Sequence, residues 1–452
     1  MDELSLRALL ERATSPEPPL GQIVSNSLRA GRKLRRRRRA TSAALSAAAV
    51  VVAGTVPALT SGPGHKVIKP APAVVPAPPA GAATAYVATS ANAVVPISLA
   101  TNTAGTPIRV PGVTDDPFVP QAAASPSGRT VYEIGTAGGS PTTVTPVDTA
   151  TNKAGPAITI GNAEPQGFAV APNGRTAYLS APEGLFRIST ATNTASRAPD
   201  CRFGCGAMAF TPNGNALYVI SGGARGARTV ILIRTASNTV RTSIKIPANS
   251  PGIPFNIGIT PNGKTAYVVD GKFEAKPGEN SVVPIDLATN TPLRPIKIWA
   301  SGVAAGLVIA PDGRTAYVLS SRAVTPIDTA TNQAKPTIEL PESAGYAYFM
   351  ALTPDGKTLY VLTPRGVIPI RTASGTVLPT IKVPKLCSST PIAITPGGRT
   401  IYVGACITRT RMHHGHKLSK FVGGVVPIST ATNTADGFIN VGGAPVAITF
   451  AG

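Results

Sequence analysis

The chain reads as an all-β protein, a closed β-propeller of four-stranded blades behind a single N-terminal transmembrane helix, and three observations predict this. One motif recurs eight times between residue 84 and the C-terminus, as in Pro261-Asn262-Gly263-Lys264-Thr265-Ala266-Tyr267-Val268 and Pro311-Asp312-Gly313-Arg314-Thr315-Ala316-Tyr317-Val318. Its tyrosines (Tyr86, Tyr132, Tyr178, Tyr218, Tyr267, Tyr317, Tyr360 and Tyr402) follow at intervals of 40 to 50 residues, the length that a four-stranded blade needs. No apolar period of three or four residues runs through the units, so short β-rich runs separated by turn residues, rather than helices, build each one.

Within the unit around Tyr267, Asn256 to Thr260 is strand a, Thr265 to Val269 strand b, Ser281 to Asp286 strand c and Pro295 to Ile298 strand d. The a-b connection, Pro261-Asn262-Gly263-Lys264, joins a residue with preset φ to one that accepts φ > 0. The c-d connection, Asp286-Leu287-Ala288-Thr289-Asn290, carries side chains that bond to turn amides. Both are tight antiparallel hairpins. At the chain ends, Pro445 to Phe450 is a strand a with no strand b after it, whereas Thr84 to Val87 is a strand b with no strand a before it. Joining the two gives one blade and removes an exposed sheet edge. The count is then eight blades, or seven should one divergent unit not form its sheet.

The pattern Pro-(Asp/Asn)-Gly-(Lys/Arg)-Thr-x-Tyr-Val followed by Val-x-Pro-Ile-Asp-x-Ala-Thr-Asn resembles the YVTN family of β-propeller repeat proteins, over residues 84–452. The resemblance implies an extracytoplasmic, often surface-associated propeller. It carries over no activity, because a shared fold does not supply a site. Tyr86-Val87-Ala88-Thr89, Tyr402-Val403-Gly404-Ala405 and Ala373-Ser374-Gly375 depart from the family pattern in strand and turn positions.

Residues 1–39 form a basic cytoplasmic tail ending in Arg35 to Arg39, and residues 40–59 carry no charge over a length that spans a hydrocarbon layer of about 30 Å. The positive-inside rule then keeps the N-terminus in the cytoplasm and exports the propeller. A retained single-pass anchor is the preferred reading. A signal peptide cleaved after the small residues Val56-Pro57-Ala58, leaving a secreted protein, is the alternative. Residues 60–83 hold the run Pro70 to Pro79 and read as an extended stalk.

The net charge is +21, of which residues 1–40 supply +6 (ten Lys/Arg against four Asp/Glu) and the remainder +15. Part of this is periodic, because a cation follows the turn glycine at Arg129, Arg175, Lys264, Arg314, Lys357 and Arg399. Such a surface attracts anionic polymers of a cell envelope. Nucleic acid is not expected, because the arginine run abuts the membrane segment and no nucleic-acid module is recognisable. The four cysteines suit an oxidising compartment and fall into two local pairs: Cys201 with Cys205, and Cys387 with Cys406 across an a-b hairpin. His413, His414 and His416 lie close enough in sequence to hold a transition metal. No cofactor is expected.

In a four-stranded blade the a-b and c-d turns share one face of the disc, and the b-c and d-a connections share the other. The first set hardly varies along the chain. The second carries the excursions, with b-c loops over Gly271 to Asn280 and Gly404 to Gly424 and a d-a loop over Pro111 to Gln121 among them. Variable loops on a rigid scaffold are where binding resides, so Asp115, Asp116, Lys272, Phe273 and Lys276 are the binding-face candidates. The function expected is a binding scaffold for a protein or an envelope polymer. The alternative is a propeller hydrolase of lactonase type, although the carboxylates Asp115, Asp116, Glu164 and Glu274 sit in loops without a repeated pair to suggest acid/base work.

Overall fold

The computed structural model describes residues 84–110, 122–136, 141–198, 204–222, 228–247, 253–272, 274–304, 306–384, 386, 391–413 and 416–451, with side chains excepted at 253 and 409–420. The expected tail, transmembrane helix and stalk lie outside them. No described helix is long and apolar enough to cross a membrane.

Eight antiparallel sheets follow one another, each in the order a-b-c-d. The first draws its a strand, Pro445–Ala451, from the C-terminus and its b strand, Thr84–Thr89, from the N-terminal end of the described residues. The two pair from Thr84 opposite Ala451 to Thr89 opposite Pro445. All eight units form sheets, so eight is the blade count. In the fifth blade the strands are Ile253–Ile259, Thr265–Gly271 and Asn280–Asp286, followed by a d strand broken into Thr291–Pro292 and Ile296–Ile298. Pro292 cannot donate at that ladder position, which confines it to an edge strand.

The core lies between blades rather than within them. Eight apolar clusters each join two successive sheets, and one of them unites Tyr402 and Val425 of the eighth blade with Val87, Val95 and Phe450 of the first. Period-two alternation explains this. In strand b, Tyr267 and Val269 face the sixth blade while Ala266 and Val268 face the fourth.

The repeated tyrosine and asparagine form one device. Seven of the eight c-d turns end on an asparagine in the left-handed region, with φ between 50 and 57° at Asn102, Asn152, Asn193, Asn238, Asn290, Asn332 and Asn433. At most of these positions the tyrosine hydroxyl of the preceding blade donates to that side chain: Tyr86 to Asn152 at 2.9 Å, Tyr178 to Asn238 at 3.0 Å, Tyr218 to Asn290 at 2.7 Å, Tyr267 to Asn332 at 2.6 Å and Tyr360 to Asn433 at 2.8 Å, whereas Tyr132 bonds to Thr190. Tyr402 reaches Asn102 across 300 residues of sequence, from the eighth blade to the first. In the seventh blade Gly375 occupies the left-handed position, and Tyr317 meets Thr372 instead. Burial first, and the nearby carboxylates Asp328, Asp355 and Asp436 second, push Tyr267, Tyr360 and Tyr402 up to about 12, so they stay protonated donors.

A second clasp works inside six of the eight blades. The hydroxyls of Thr149, Thr190, Thr235, Thr329, Thr372 and Thr430 donate to the carbonyl of the turn glycine in their own a-b hairpin. These contacts leave the a-b/c-d face a rigid, repeating surface.

Candidate binding face

The opposite face is irregular. In the fifth blade the b-c loop is pinned by Asn280, whose Oδ1 accepts from the amide of Lys272 at 2.9 Å and whose amide donates to the Gly302 carbonyl at 2.6 Å. The Gly278 amide bonds to Ile298 and the Gly302 amide to Ala275, so the b-c and d-a loops are laced together. Lys272 pairs with Glu279 at 2.9 Å, and Glu279 also accepts from the amide of Lys276, which holds its carboxyl below the usual value. Lys272 and Lys276, two of the expected binding residues, therefore sit on an ordered platform. Asp115, Asp116 and Phe273 lie outside the described residues.

Trp299 stands on this platform, 62 % exposed and against Gly278. The short b-c turn of the sixth blade comes next, with Ser321 against Gly302 on one side and accepting from the amide of Ala347 on the other. Arg322 lies over the ring of Tyr346 at 5.1 Å, and Tyr346 is itself exposed. Blades five, six and seven thus share one contiguous surface carrying two exposed aromatic rings.

The largest feature belongs to the eighth blade. Gly404 to Gly424 is not a loop, as its glycines and histidines suggest, but the middle of a continuous hairpin formed by Thr400–His413 and His416–Ser429. The register is unbroken from Thr400 opposite Ser429 to His413 opposite His416. The d strand pairs with it no further along the hairpin than Gly423, so beyond Ile407 and Val422 it continues as a two-stranded ribbon. Six residue pairs at about 3.4 Å each give a projection of about 20 Å. Its base is fixed by close backbone approach: a Cβ on Gly423 would lie 1.9 Å from the Gly443 carbonyl oxygen, and one on Gly404 2.7 Å from Pro391. His413 and His416 form the last backbone pair of the ribbon, while His414 lies outside the described residues.

Cys205 and Cys406 are buried and disulfide-bonded. Cys201 and Cys387 lie outside the described residues, so the expected pairings rest on sequence. The described a-b register of that blade runs from Ile394 opposite Ile401 to Ile392 opposite Val403.

Two buried carboxylates escaped the sequence reading. Glu133, 1 % exposed, occupies the position after the repeated tyrosine, where the other blades have Val or Leu, and neither oxygen has a hydrogen-bond partner among the described residues. Burial holds its carboxyl well above the usual range. Asp270, fully buried, pairs with Arg228 of the preceding blade; burial raises its carboxyl and the guanidinium opposes that. Both were detectable as departures from the repeat. Glu164 is an exposed loop residue, as is Glu274, whose φ is 54°. Among the described residues no three His, Cys, Asp or Glu side chains converge as a metal site would require.

No protein-family model matches the chain, and no curated protein is significantly similar to it. Among solved structures it is similar to the hydrazine synthase of Kuenenia stuttgartiensis, with 20 % identity, a TM-score of 0.52, and coverage of 69 % of this chain and 98 % of that one. It is also similar to the dihydro-heme d1 dehydrogenase NirN in complex with DHE, with 13 % identity, a TM-score of 0.57, and coverage of 84 % and 77 %. At these identities the likeness is one of fold: the chain is an eight-bladed β-propeller.

Proposed function

We propose that this protein is a membrane-anchored, extracytoplasmic propeller of YVTN type, closed into a ring, that serves as a binding scaffold for a cell-envelope polymer or protein through its b-c/d-a face. The observation that carries this reading is the asymmetry of the disc. One face repeats the same turns and clasps across most blades, whereas the other concentrates every long excursion, the exposed rings of Trp299, Tyr346 and Phe421, and the ribbon of the eighth blade. Composition that varies on one side of an otherwise invariant scaffold is the signature of a recognition surface. Ring closure is supported by the composite first blade and by the Tyr402–Asn102 bond across the chain ends. Export is supported by the disulfide-bonded cysteines, because disulfides persist in oxidising compartments. The pairings proposed remain Cys201 with Cys205 and Cys387 with Cys406.

Two experiments test the reading. Protease added to intact cells should remove the propeller and spare the N-terminal tail; a mature soluble chain beginning near Leu59 would instead establish signal cleavage. In a binding assay on isolated envelope material, shortening the ribbon by joining Ile407 to Val422 through Asn-Gly should abolish retention. Charge reversal at Arg129, Arg175 and Lys357 on the opposite face should not. The reverse outcome makes the turn cations the site.

A further inference from the structure

From Trp299 and its surroundings on the b-c/d-a face we infer a specific ligand class: a glycan built of pyranose sugars, one ring of which stacks on the indole. The inference rests on the scaffold reading and names the ligand of that same face. Three observations carry it. First, the indole is a prepared stacking surface. A Cβ at Gly278 would stand 3.2, 3.4 and 3.5 Å from Cζ3, Cε3 and Cη2 of Trp299. Three adjacent ring atoms at nearly equal distance place the loop backbone over the face of the ring rather than at its edge, and with the residue 62 % exposed the opposite face is open to solvent. Glycine permits this arrangement, having no side chain in the way and adopting a φ of 84°. The Gly278 amide bonds at 2.9 Å to the carbonyl of Ile298, the residue before Trp299, so loop and ring are fixed together before a ligand arrives.

Second, polar groups of both signs border the rings. Glu279 follows Gly278 and holds Lys272 at 2.9 Å. Across the contact of Gly302 with Ser321, Arg322 lies 5.1 Å from the centroid of the second exposed ring, Tyr346. Third, aliphatic cover is missing. Among the described residues the exposed large apolar side chains are Val240, Leu293, Trp299, Tyr346 and Phe421, and in blades five to seven only Leu293 of these is aliphatic. It stands at mid-strand, with its amide bonded to Pro284, away from the b-c and d-a loops.

These features separate the ligand classes. A pyranose ring offers a layer of C–H bonds to the negative face of an aromatic ring, and a rim of hydroxyls that both donate and accept. An open indole bordered by a carboxylate, an ammonium and a guanidinium meets both halves of that chemistry. A protein partner would cover a contiguous apolar patch instead. A phosphate polymer calls for a row of unengaged cations, whereas Lys272 is held by Glu279 and Arg322 by the Tyr346 ring.

Trp299 is the only tryptophan of the chain, so tryptophan emission reports this site alone. The test titrates the full chain with chitohexaose, cellohexaose and maltohexaose, and with a single-stranded DNA oligonucleotide as comparator, following emission and calorimetric heat. A saturable change in emission with at least one of the sugars, and none with DNA, is expected. Trp299→Ala should weaken that binding by about tenfold or more in calorimetry, and Tyr346→Ala should weaken it less. Gly278→Ala keeps the tryptophan but sets a methyl group against its ring, and should lower the sugar affinity while shifting the emission of the free protein. Circular dichroism confirms that each variant is folded. With isolated envelope material, protease digestion should spare retention and periodate oxidation of its sugars should abolish it. No response to any of the three oligosaccharides overturns the inference, as does a folded Trp299→Ala chain that binds them like the parent. A change in emission with DNA at lower concentration than with the sugars makes nucleic acid the ligand, and retention lost to protease but not to periodate makes it a protein; either result overturns the inference. If retention of envelope material depends on the ribbon while the emission responds to no sugar, this inference fails and the scaffold reading stands. Sugar binding at Trp299 without any retention of envelope material would uphold the site and remove the scaffold role.

Discussion

Glu133 offers a direct check on how the inter-blade core works. It sits in strand b of the second blade, opposite Ala122 on one side and Thr145 on the other, and on the same face as Val131, which packs against the first blade. The equivalent residues elsewhere are Val87, Leu179, Val219, Val268, Val318, Val361 and Val403, so Glu133→Val restores the repeat at a site whose shape already suits it. Leaving a buried polar group unsatisfied costs about 1 to 3 kcal/mol, and the substitution should return that amount. The gain must also depend on pH. The folded-state value is raised above the ordinary 4.5, so the folded protein holds a proton that the unfolded chain releases. Below about 4.5 the acid is protonated in both states. As pH rises from there towards the folded value the native protein loses stability, at up to about 1.36 kcal/mol per pH unit. Glu133→Val should escape this loss and Glu133→Gln should flatten the pH dependence while keeping the polar burial. Urea unfolding followed by circular dichroism at pH 5, 6, 7 and 8 measures both effects. A valine variant no more stable than the parent, with the same pH dependence, would refute the reasoning.

The latch between blades makes separable predictions. Asn102→Gly keeps the left-handed conformation and loses only the bond from Tyr402, at a cost of about 0.5 to 1.5 kcal/mol, whereas Asn102→Ala adds backbone strain and should cost about 1 kcal/mol more. With Tyr402→Phe in the background, Asn102→Gly should cost almost nothing further, and full additivity in a double-mutant cycle would show that the bond is not made. Peptide mapping without reduction should recover Cys201 joined to Cys205 and Cys387 joined to Cys406; because each closes a short loop, reduction should cost about 2 to 3 kcal/mol or less per bridge. A Cys201–Cys387 peptide or free thiols would overturn the pairing.

The repeat was legible because its parts act locally. Proline, glycine and asparagine fix turns wherever they stand, and the strand boundaries predicted around Tyr267 differ from those observed by a few residues at most. The composite blade was legible for the same reason, since an orphan strand a and an orphan strand b stood at opposite ends. The role of the asparagine was not, because its partner tyrosine lies about 60 to 70 residues away in most blades and the sequence displays only the turn. The ribbon was hidden by Gly404, Gly423 and Gly424, which read as loop residues but serve as points of close backbone contact. Attention to loop carboxylates left Glu133 and Asp270 unnoticed, although each replaces a residue type that recurs at its position in the other blades.

Hydrogen exchange of the full chain, with and without bound envelope polymer, tests the assignment of the two faces most directly. Slowed exchange should map to the ribbon within Gly404 to Gly424, to Gly271 to Asn280 and to the loops bearing Trp299 and Tyr346, while the Pro-(Asp/Asn)-Gly turns exchange as before. Protection confined to those turns, with the ribbon unaffected, would contradict the account.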